Sequence, residues 1–385
     1  MATFFGDSGD DSFTGPKDEN NGYLLDDGGE DSVQGGLLSD SVLMGGTLDR
    51  GDRLNGGGGS GDVVVLAGDY SAGLVVSKAM MTNFEVLALD TGDYDLSFAD
   101  GVVKAGVTFQ VDSTQQHADE SLTFDGSRET DGRFVFFLGA SYSDVTGGAG
   151  DDTFAFFLAM GDDNHLDGGK GVDLVDFINT GFDHLFGSSE LKNIEVLLAD
   201  AQAVFHWTMN DANVAAGRTM NVAAFSATSI LLDATAETDG VYSVIGSAGA
   251  DTVIGGLGAD SFIGGAGDDV LIGRDGADVL EGDDGADSFV YRSLEDSTRK
   301  HADLILDLSA GDSIDLSNID ARADKAGDQA FHQVAAFTGS AGELILKFDA
   351  DANQTTLAGD VDGDGRADIA ILLSGDQTGF TGLVL

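Results

Sequence analysis

The chain has 385 residues, with 18 basic and 68 acidic side chains and a formal net charge of -50. This charge argues against nucleic acid and anionic membranes as partners, because both are bound by basic faces. Hydrophobic residues make up 42% of the chain, too many for an acidic disordered tail, so we expect a folded protein whose charge is balanced by counterions.

The sequence contains no cysteine, which excludes disulfides and thiolate metal sites. The start, MATFFGDSGDDSFTG, lacks a basic region followed by a long apolar run, so no cleaved secretory signal is predicted. No apolar run approaches the roughly 18 residues that a spanning helix needs, and no transmembrane segment is predicted.

Residues 1–66 carry a nine-residue Gly/Asp unit in worn form. GDSGDDSFT (6–14), DDGGEDSVQ (26–34) and GGLLSDSVL (35–43) place an aspartate at the same position of the unit, namely Asp11, Asp31 and Asp40. The following residues keep the composition but lose the spacing, and the aspartates that fall out of frame are Asp49, Asp52 and Asp62. We predict a degenerate repeat block here.

Residues 67–138 have a different character. The runs LVVSKAM, FEVLALD, VTFQVD and RFVFFLG alternate between apolar and polar residues, which is typical of β-strands. We predict a β-rich module, module A.

A second repeat block is predicted at residues 139–176, where GGAGDDTFA and GGKGVDLVD provide Asp152 and Asp173. Residues 177–245 form a second β-rich module, module B, which repeats landmarks of module A. NFEVLALD matches NIEVLLAD and ETDGRF matches ETDGVY at nearly constant offset, which indicates a duplication; convergent β-sheet composition is the alternative. The Ala-rich segment 213–229 is where a helix is expected.

Residues 246–290 repeat the unit five times without a gap, as GSAGADTVI, GGLGADSFI, GGAGDDVLI, GRDGADVLE and GDDGADSFV. The aspartate column is Asp251, Asp260, Asp269, Asp278 and Asp287, and the first glycine column is Gly246, Gly255, Gly264, Gly273 and Gly282. A fixed period predicts stacked coils. If two units make one coil, Asp251, Asp269 and Asp287 share one edge, and Asp260 and Asp278 share the other.

The chemistry of this unit favours a hard cation. Glycines allow tight turns that aim carbonyl groups inward, and the aspartate adds a charged oxygen ligand. Carbonyl and carboxylate oxygens suit Ca²⁺, whereas Mg²⁺ prefers to keep its waters and Zn²⁺ prefers Cys or His. Because the acidic turns repel one another without cations, we expect folding to be coupled to binding of several Ca²⁺ ions.

The units resemble the RTX nonapeptide G-G-x-G-x-D-x-U-x, in which U is large and apolar; a bare array of Gly/Asp loops is the alternative. The resemblance implies an all-β fold in which parallel β-roll calcium blocks alternate with β-strand-rich modules in an elongated molecule. It also implies that the metal ligands lie at the aspartates and first glycines named above. The units depart from the pattern at the second glycine, replaced by Ser247, Arg274 and Asp283, and at the third, replaced by Leu38.

Residues 291–385 resemble the C-terminal domain of serralysin-type secreted proteins, through GDQAF, AGELILKFD and GDVDGDGRADIAI. The resemblance implies export by a type I secretion machinery and an extracellular location. Gly382 stands where that family has an acidic residue before its apolar end. The aspartates of 360–368 have EF-hand-like spacing, but Ile371 replaces the bidentate glutamate, so a polar hairpin turn is favoured over a calcium loop.

No catalytic constellation is recognisable in the sequence. None of the six histidines lies in an H-E-x-x-H motif, and there is no G-x-S-x-G elbow. We therefore predict that the protein is not an enzyme; an unfamiliar active site in the duplicated modules is the least favoured alternative.

The alternation of repeats and strand modules also resembles RTX-type S-layer proteins. We expect a secreted, calcium-binding structural protein at the surface of a Gram-negative bacterium that self-assembles into a homo-oligomer or lattice, as an S-layer or extracellular matrix does. The alternative is an RTX adhesin that binds surface polysaccharide or lipopolysaccharide.

Overall fold

The computed structural model of the chain describes residues 1–179 and 181–385. In the first half the strands are β1 (Ala2–Phe5), β2 (Ser12–Thr14), β3 (Asn21–Leu24), β4 (Ser32–Gln34), β5 (Ser41–Leu43), β6 (Arg53–Asn55), β7 (Val63–Leu66), β8 (Tyr70–Val76), β9 (Met81–Thr82), β10 (Val86–Leu89), β11 (Tyr94–Phe98), β12 (Thr108–Asp112), β13 (Ser121–Asp125), β14 (Arg133–Leu138), β15 (Tyr142–Thr146), β16 (Thr153–Phe156), β17 (His165–Asp167) and β18 (Leu174–Phe177).

In the second half they are β19 (Asp183–Leu185), β20 (Leu191–Lys192), β21 (Val196–Ala199), β22 (Val204–Thr208), β23 (Thr219–Ala223), β24 (Ser229–Asp233), β25 (Val241–Ile245), β26 (Thr252–Ile254), β27 (Ser261–Ala266), β28 (Val270–Ile272), β29 (Val279–Asp284), β30 (Ser288–Val290), β31 (Leu304–Ile305), β32 (Ser313–Asp315), β33 (His332–Gln333), β34 (Glu343–Asp349), β35 (Gln354–Asp360), β36 (Ile369–Ser374) and β37 (Leu383–Val384). The helical elements of the described residues are two 3-10 helices, Asp211–Asn213 and Glu295–Ser297. That part of the chain has no helix long and apolar enough to cross a bilayer.

The strands form a parallel β-solenoid of about 14 turns, as the all-β expectation requires. The chain divides into two compact units, the first comprising Met1–Thr180 with Ser189–Val196 and the second comprising Gly181–Ser188 with Leu197–Leu385. In the first unit one sheet runs β1-β3-β5-β7-β10-β12-β14-β16-β18. The strands between them form the sheets β2-β4-β6-β9 and β8-β11-β13-β15-β17-β20.

The second unit is built in the same way and ends in a different element. One of its sheets contains β23-β25-β27-β29-β31, and the other runs β19-β22-β24-β26-β28-β30-β32-β37. Beyond β31 the first of these sheets continues into the antiparallel strands β36, β35 and β34. The parallel coils therefore give way to a local antiparallel meander near the C-terminus.

The core of the regular repeat is a column of one apolar residue per strand. These residues are at most 1% exposed and are Val253, Phe262, Leu271, Leu280 and Phe289. Each comes two residues after an aspartate, so the turn and the core residue are fixed together by the triplet Asp-x-apolar. In the residues of module A the column consists of larger rings, with Phe98, Phe124 and Phe134 in mutual contact at centroid distances of 4.9–5.9 Å.

The strand-rich segments continue the coils of the repeat blocks. β14, from the segment predicted as module A, pairs in parallel with β16 of the next repeat block. β25, from the segment predicted as module B, pairs with β27 of the regular repeat in the same way. Both segment types therefore build one kind of coil, and the predicted boundaries between them stay a prediction.

The helix expected at residues 213–229 is wrong. Only Asp211–Asn213 is helical there, and it is a single 3-10 turn; β23 and β24 follow. The reason is the alternation of burial in β23, in which Met220 and Val222 face the core between more exposed neighbours. Pairing along β25 satisfies the backbone and outweighs the helix propensity of the alanines.

Candidate calcium-binding turns

The five aspartates of the regular repeat lie in two rows, one along each edge of the coil. Asp251 donates its backbone N–H to Asp269 Oδ1 at 2.8 Å, and Asp269 donates to Asp287 at 3.0 Å. On the other edge Asp260 donates to Asp278 at 2.7 Å. Each bond spans 18 residues, so a coil contains two nine-residue units. All five side chains are 1% exposed.

The rows extend past the last nonapeptide. Asp278 donates its N–H to Asp303 and Asp287 donates its N–H to Asp312, both at 3.0 Å and both across 25 residues. The nine-residue period does not predict these two residues, because they lie 25 residues after their partners. The triplet Asp-x-apolar is retained at both, as Asp303-Leu-Ile and Asp312-Ser-Ile, and it is the signal that would have found them.

The same arrangement is present in the first block, where the period is lost. Asp31 donates to Asp52 at 2.8 Å and Asp40 donates to Asp62 at 2.7 Å, across 21 and 22 residues. Asp52 and Asp62 are therefore members of the rows, although the sequence places them out of frame. Asp11 begins one of these rows by donating to Asp31 at 3.0 Å.

Glutamates end two of the rows in the first unit. Asp152 donates to Asp173 at 2.7 Å, and Asp173 donates to Glu195 at 3.0 Å. Asp62 donates to Glu85 in the same way at 3.0 Å. The longer side chains of Glu85 and Glu195 stand in the triplet position Glu-x-apolar, as Glu-Val-Leu in both cases.

The second carboxylate oxygen separates two classes of aspartate. In some turns Oδ2 accepts a backbone N–H from the same turn, as Asp152 does from Gly148 at 2.6 Å. In others Oδ2 is buried and finds no hydrogen-bond donor among the described residues, and these are Asp62, Asp173, Asp269, Asp278, Asp287 and Asp303. Leaving a buried charged oxygen without a partner destabilises the folded chain by at least roughly 1–3 kcal/mol. A positively charged ligand in these turns would remove that cost.

The first glycine of each unit leaves room for that ligand. A Cβ built on Gly264 would overlap the Asp269 carboxylate and the Gly282 carbonyl oxygen of the next coil. A Cβ on Gly246 or Gly255 would likewise overlap a carboxylate and a carbonyl oxygen of the next coil, and a Cβ on Gly273 or Gly282 would overlap the carboxylate of its own turn. Each of these glycines therefore faces the carboxylate of its own turn, and no side chain fills the space between them.

Burial raises the pKa of all five aspartates of the regular repeat above the ordinary 3.8. The pKa reaches about 7 at Asp269 and about 9 at Asp278, where the neighbouring Asp303 carboxylate adds repulsion to the desolvation. In the first unit burial raises the pKa of Asp173 to about 7 and that of Asp62 to about 6. Proton binding and metal binding therefore compete at these oxygens.

Two of the units that depart from the RTX pattern hold a strained backbone. Arg274 and Asp283 have φ of +70° and +65°, where the second glycine would stand. A non-glycine residue in this region costs roughly 1–2 kcal/mol. The Arg274 guanidinium donates to the Thr235 carbonyl at 2.9 Å, and its charge lowers the pKa of Asp260 against the larger rise from burial.

The aspartates of 360–368 form a closed polar turn. Asp360 accepts backbone N–H groups from Gly363 and Gly365 at 2.7 and 2.8 Å, and Asp368 accepts from Val361 at 2.7 Å. These carboxylates are occupied by the hairpin between β35 and β36. One carboxylate oxygen from each of Asp360, Asp362 and Asp368 also lies within 4.8 Å of the others, so the polar hairpin favoured from the sequence stays a prediction.

The donor set of the rows fits Ca²⁺. Carboxylate and carbonyl oxygens converge on a space that a Cβ would fill, and the unpartnered oxygens of Asp62, Asp173, Asp269, Asp278 and Asp287 lie in it. A Ca²⁺ ion at about 2.3–2.6 Å from such oxygens would neutralise them, and no nitrogen or sulfur ligand that would favour Zn²⁺ takes part in the rows.

The chain is similar to known proteins over part of its length. Residues 234–385 match the protein-family model described as Peptidase M10 serralysin C terminal. A segment of 99 residues is 38% identical to metalloprotease AprA of Pseudomonas entomophila (strain L48), and it covers 26% of this chain and 20% of the length of AprA. Among solved structures, the chain is similar to the AlgE6R3 subunit of the Azotobacter vinelandii mannuronan C5-epimerase, with 28% identity and a TM-score of 0.30, over 37% of this chain and 77% of that one.

The resemblance of the C-terminal region to serralysins is thereby confirmed. Domains of this type are RTX β-rolls that bind Ca²⁺, and they occur in substrates of type I secretion. The resemblance to S-layer proteins stays a prediction.

Proposed function

We propose that this chain is a secreted, non-enzymatic structural protein that folds on Ca²⁺ at the surface of a Gram-negative bacterium and assembles there into an S-layer-like lattice or matrix. The observation that carries the proposal is the series of buried aspartates with unpartnered oxygens. These occur in both compact units, as Asp62 and Asp173 in the first and Asp269, Asp278 and Asp287 in the second.

Calcium would act as a switch between export and folding. With a net charge of -50 and buried carboxylates, the metal-free chain is poorly stabilised, so it stays exportable where free Ca²⁺ is scarce. Extracellular calcium modules bind at roughly 10⁻⁴–10⁻³ M, so the chain would fold once outside. The serralysin-type C-terminal region supports a type I export route.

The first coil supports the assembly part of the proposal. β1 pairs in parallel with β3. The Ala2 N–H donates to the Asn20 carbonyl just before β3, and the Gly6 N–H, just after β1, donates to the Leu24 carbonyl. Thr3 lies between these two donors and directs its backbone N–H and C=O away from β3. Phe5 is 69% exposed on the same strand. An exposed strand edge beside an apolar ring is a surface on which a second copy of the chain can pair.

A calcium titration of the purified chain tests the proposal, with circular dichroism and light scattering followed together. We expect β-structure and large particles to appear near millimolar Ca²⁺ and to disappear with chelator. Thr3→Pro removes the outward N–H of β1 and should reduce the particles while leaving the folding transition in place. Particles that form equally well with Thr3→Pro would remove β1 from the interface, and a folded monomer at all calcium concentrations would rule out assembly.

A specific cleft favours the second candidate, an adhesin that binds polysaccharide or lipopolysaccharide. Phe137 and Phe157, with ring centroids 5.7 Å apart, line an open cleft of about 430 Å³ together with Gln110, Asp112 and Thr114. Rings beside amide, carboxylate and hydroxyl groups suit a sugar. Binding of surface glycans by a calcium-loaded monomer, lost in Phe157→Ala, would favour the adhesin over the structural protein.

A further inference from the structure

Two acidic turns occupy equivalent places in the duplicated segments, outside the nonapeptide units. The first acidic turn consists of Asp100, Glu129 and Asp131, and the second consists of Asp211, Glu237 and Asp239. Each belongs to the motif Glu-Thr-Asp-Gly and to the loop of the preceding coil. The two loops share a turn at Gly106 and Gly217, which both have φ of +69°. Each of these glycines donates its N–H at 2.8 Å to the carbonyl of the last aspartate of its turn.

The two turns also share most side-chain bonds. Thr130 donates its hydroxyl to Asp100 at 2.6 Å, and Thr238 donates to Asp211 at 2.7 Å. In both turns Oε1 of the glutamate accepts the three following backbone N–H groups. Glu129 and Glu237 are both 0% exposed.

The glutamates differ at their second oxygen. Oε2 of Glu129 accepts N–H groups from Gly101 at 3.2 Å and from Val103 at 3.4 Å. Oε2 of Glu237 is buried and has no hydrogen-bond partner within residues 1–179 and 181–385. The second turn therefore holds an uncompensated carboxylate oxygen where the first holds a satisfied one.

The cause is a local change in the loop. Asn210, which replaces Ala99 in the alignment of the two loops, caps the 3-10 helix Asp211–Asn213. Its side chain accepts the N–H of Ala212 at 3.1 Å, and its carbonyl accepts the N–H of Asn213 at 2.9 Å. Ala212 is the counterpart of Gly101, so a donor that serves the glutamate in the first turn is used by the cap in the second.

The charges at the two turns differ in the same direction. Lys78 and Lys104 line a cavity of about 520 Å³ together with Asp131 of the first acidic turn. The positions that correspond to these lysines in the second copy are Ser188 and Ala215. The ammonium groups that lie beside the first turn therefore have no counterpart at the matching positions of the second.

The geometry of the second turn suits a divalent ion. One carboxylate oxygen from each of Asp211, Glu237 and Asp239 lies within 4.8 Å of the others. Two oxygens on opposite sides of one Ca²⁺ are about 4.6–5.2 Å apart, so a single ion can reach all three. Asp211 and Asp239 are exposed, which leaves an entry path and room for water ligands.

We propose that Asp211, Glu237 and Asp239 form a further Ca²⁺ site, in which the ion compensates the buried Glu237 oxygen that the loop leaves without a donor. The site lies beside the row that contains Asp260 and is not one of its turns, because Tyr242 occupies the preceding position of that row and donates its N–H to Asp260 at 2.7 Å. It anchors the loop at Asp211–Asn213 to the turn at 237–240, and it does not depend on whether the chain assembles.

The test is the number of Ca²⁺ ions bound per chain, measured on the full chain by equilibrium dialysis and atomic absorption. Asp239→Asn and its matched control Asp131→Asn change exposed residues in the two turns. We expect one ion fewer in Asp239→Asn and the wild-type number in Asp131→Asn. Ala215→Lys supplies the ammonium group of the first copy and should also lose one ion.

Glu237→Gln provides a second readout. Glutamine can keep Oε1 on its three N–H donors and place its NH₂ group at the unpartnered position, so we expect a folded chain by circular dichroism and one ion fewer. The wild-type ion number in Asp239→Asn, Ala215→Lys and Glu237→Gln would overturn the proposal. An equal loss in Asp131→Asn would overturn the distinction between the two turns on which it depends.

Discussion

The first repeat block (6–66) and the third (246–290) build the same rows from different spacings. In the third block the bond from one aspartate N–H to the next carboxylate always spans 18 residues, as from Asp251 to Asp269. In the first block the corresponding bonds span 20 to 22 residues, as from Asp31 to Asp52. The additional residues of the first block lie in the turns, and the triplet Asp-x-apolar keeps the same position in each coil. The nine-residue period is therefore a sufficient signal of this fold and not a necessary one.

The two blocks differ in how they satisfy the second oxygen. In the first block an N–H of the same turn bonds to Oδ2 of Asp11, Asp40 and Asp52, and Asp62 is the exception. In the third block such an N–H reaches Oδ2 of Asp251 and Asp260, whereas Oδ2 has no donor in the described structure at Asp269, Asp278 and Asp287. In the first block backbone amides satisfy most of the second carboxylate oxygens, which leaves fewer of them for a cation. The third block should therefore depend more strongly on Ca²⁺.

Removal of calcium should produce the largest difference between the blocks. We expect strands β27–β30 to lose hydrogen-exchange protection in chelator, because three unpartnered carboxylates then repel one another in a buried space. β3 and β5 should retain more of their protection. Exchange measured by mass spectrometry with and without Ca²⁺ checks this, and equal loss in both blocks would contradict the comparison.

Substitution of one aspartate in each block should change stability in a calcium-dependent way in the third block and independently of calcium in the first. Asp269→Asn keeps the acceptor for Asp251 and removes a buried charge, so it should stabilise the metal-free chain and raise the calcium midpoint of folding about tenfold. Asp52→Asn loses an acceptor for one of two N–H groups and should cost about 1–3 kcal/mol with or without Ca²⁺.

Chemical denaturation at several calcium concentrations separates these two effects. If Asp52→Asn shifts the calcium midpoint as far as Asp269→Asn does, Asp52 is an equal ligand and the comparison fails. Asp269→Ala should weaken calcium-dependent folding as Asp269→Asn does.

The pH dependence of the metal-free chain should sharpen the same contrast. Burial raises the pKa of Asp278 to about 9 and that of Asp269 to about 7, from 3.8, so the folded state binds protons more tightly than the unfolded state. Proton binding at these two aspartates therefore contributes to the free energy of unfolding. This contribution is complete below about pH 4 and is lost as the pH rises through 7 to 9. At Asp62, with a pKa of about 6, the loss ends earlier.

Urea midpoints of the metal-free chain at pH 5, 7 and 9 check this, and they should fall at each step. In Asp278→Asn the fall between pH 7 and 9 should be smaller. A midpoint that rises with pH would contradict the assignment of buried, metal-free carboxylates.

The smallest effect is expected at Arg274. Arg274→Gly removes a positive φ strain of about 1 kcal/mol but gives the unfolded chain more freedom, which offsets it by roughly 0.4–1 kcal/mol. Loss of the guanidinium near Asp260 should lower the calcium midpoint about twofold. Arg299→Gly, at an exposed position, is the control for charge alone, and an equal shift there would assign the effect to net charge.

The sequence predicted the all-β coil and placed Asp251, Asp269 and Asp287 on one edge, because periodic glycines and carboxylates constrain the backbone locally. It could not place Asp52, Asp62, Asp303 and Asp312, since their partners are set by turn length and not by spacing. It also could not reveal the unpartnered oxygen of Glu237. That oxygen lacks a donor because the Ala212 N–H in another loop bonds to the capping residue Asn210.

The rows have a direction that bears on the order in which coils form. Each carboxylate accepts an N–H from the coil before it in the chain, so a coil is complete only when the following one is in place. The residue after each aspartate of the following coil donates an N–H in the opposite sense, as Val270 does to the Asp251 carbonyl at 2.9 Å. Growth of the stack from either side therefore leaves one amide of each junction open until the neighbouring coil is in place. Only the local meander of β34, β35 and β36, whose contacts are close in sequence, can complete its bonds without waiting for another coil.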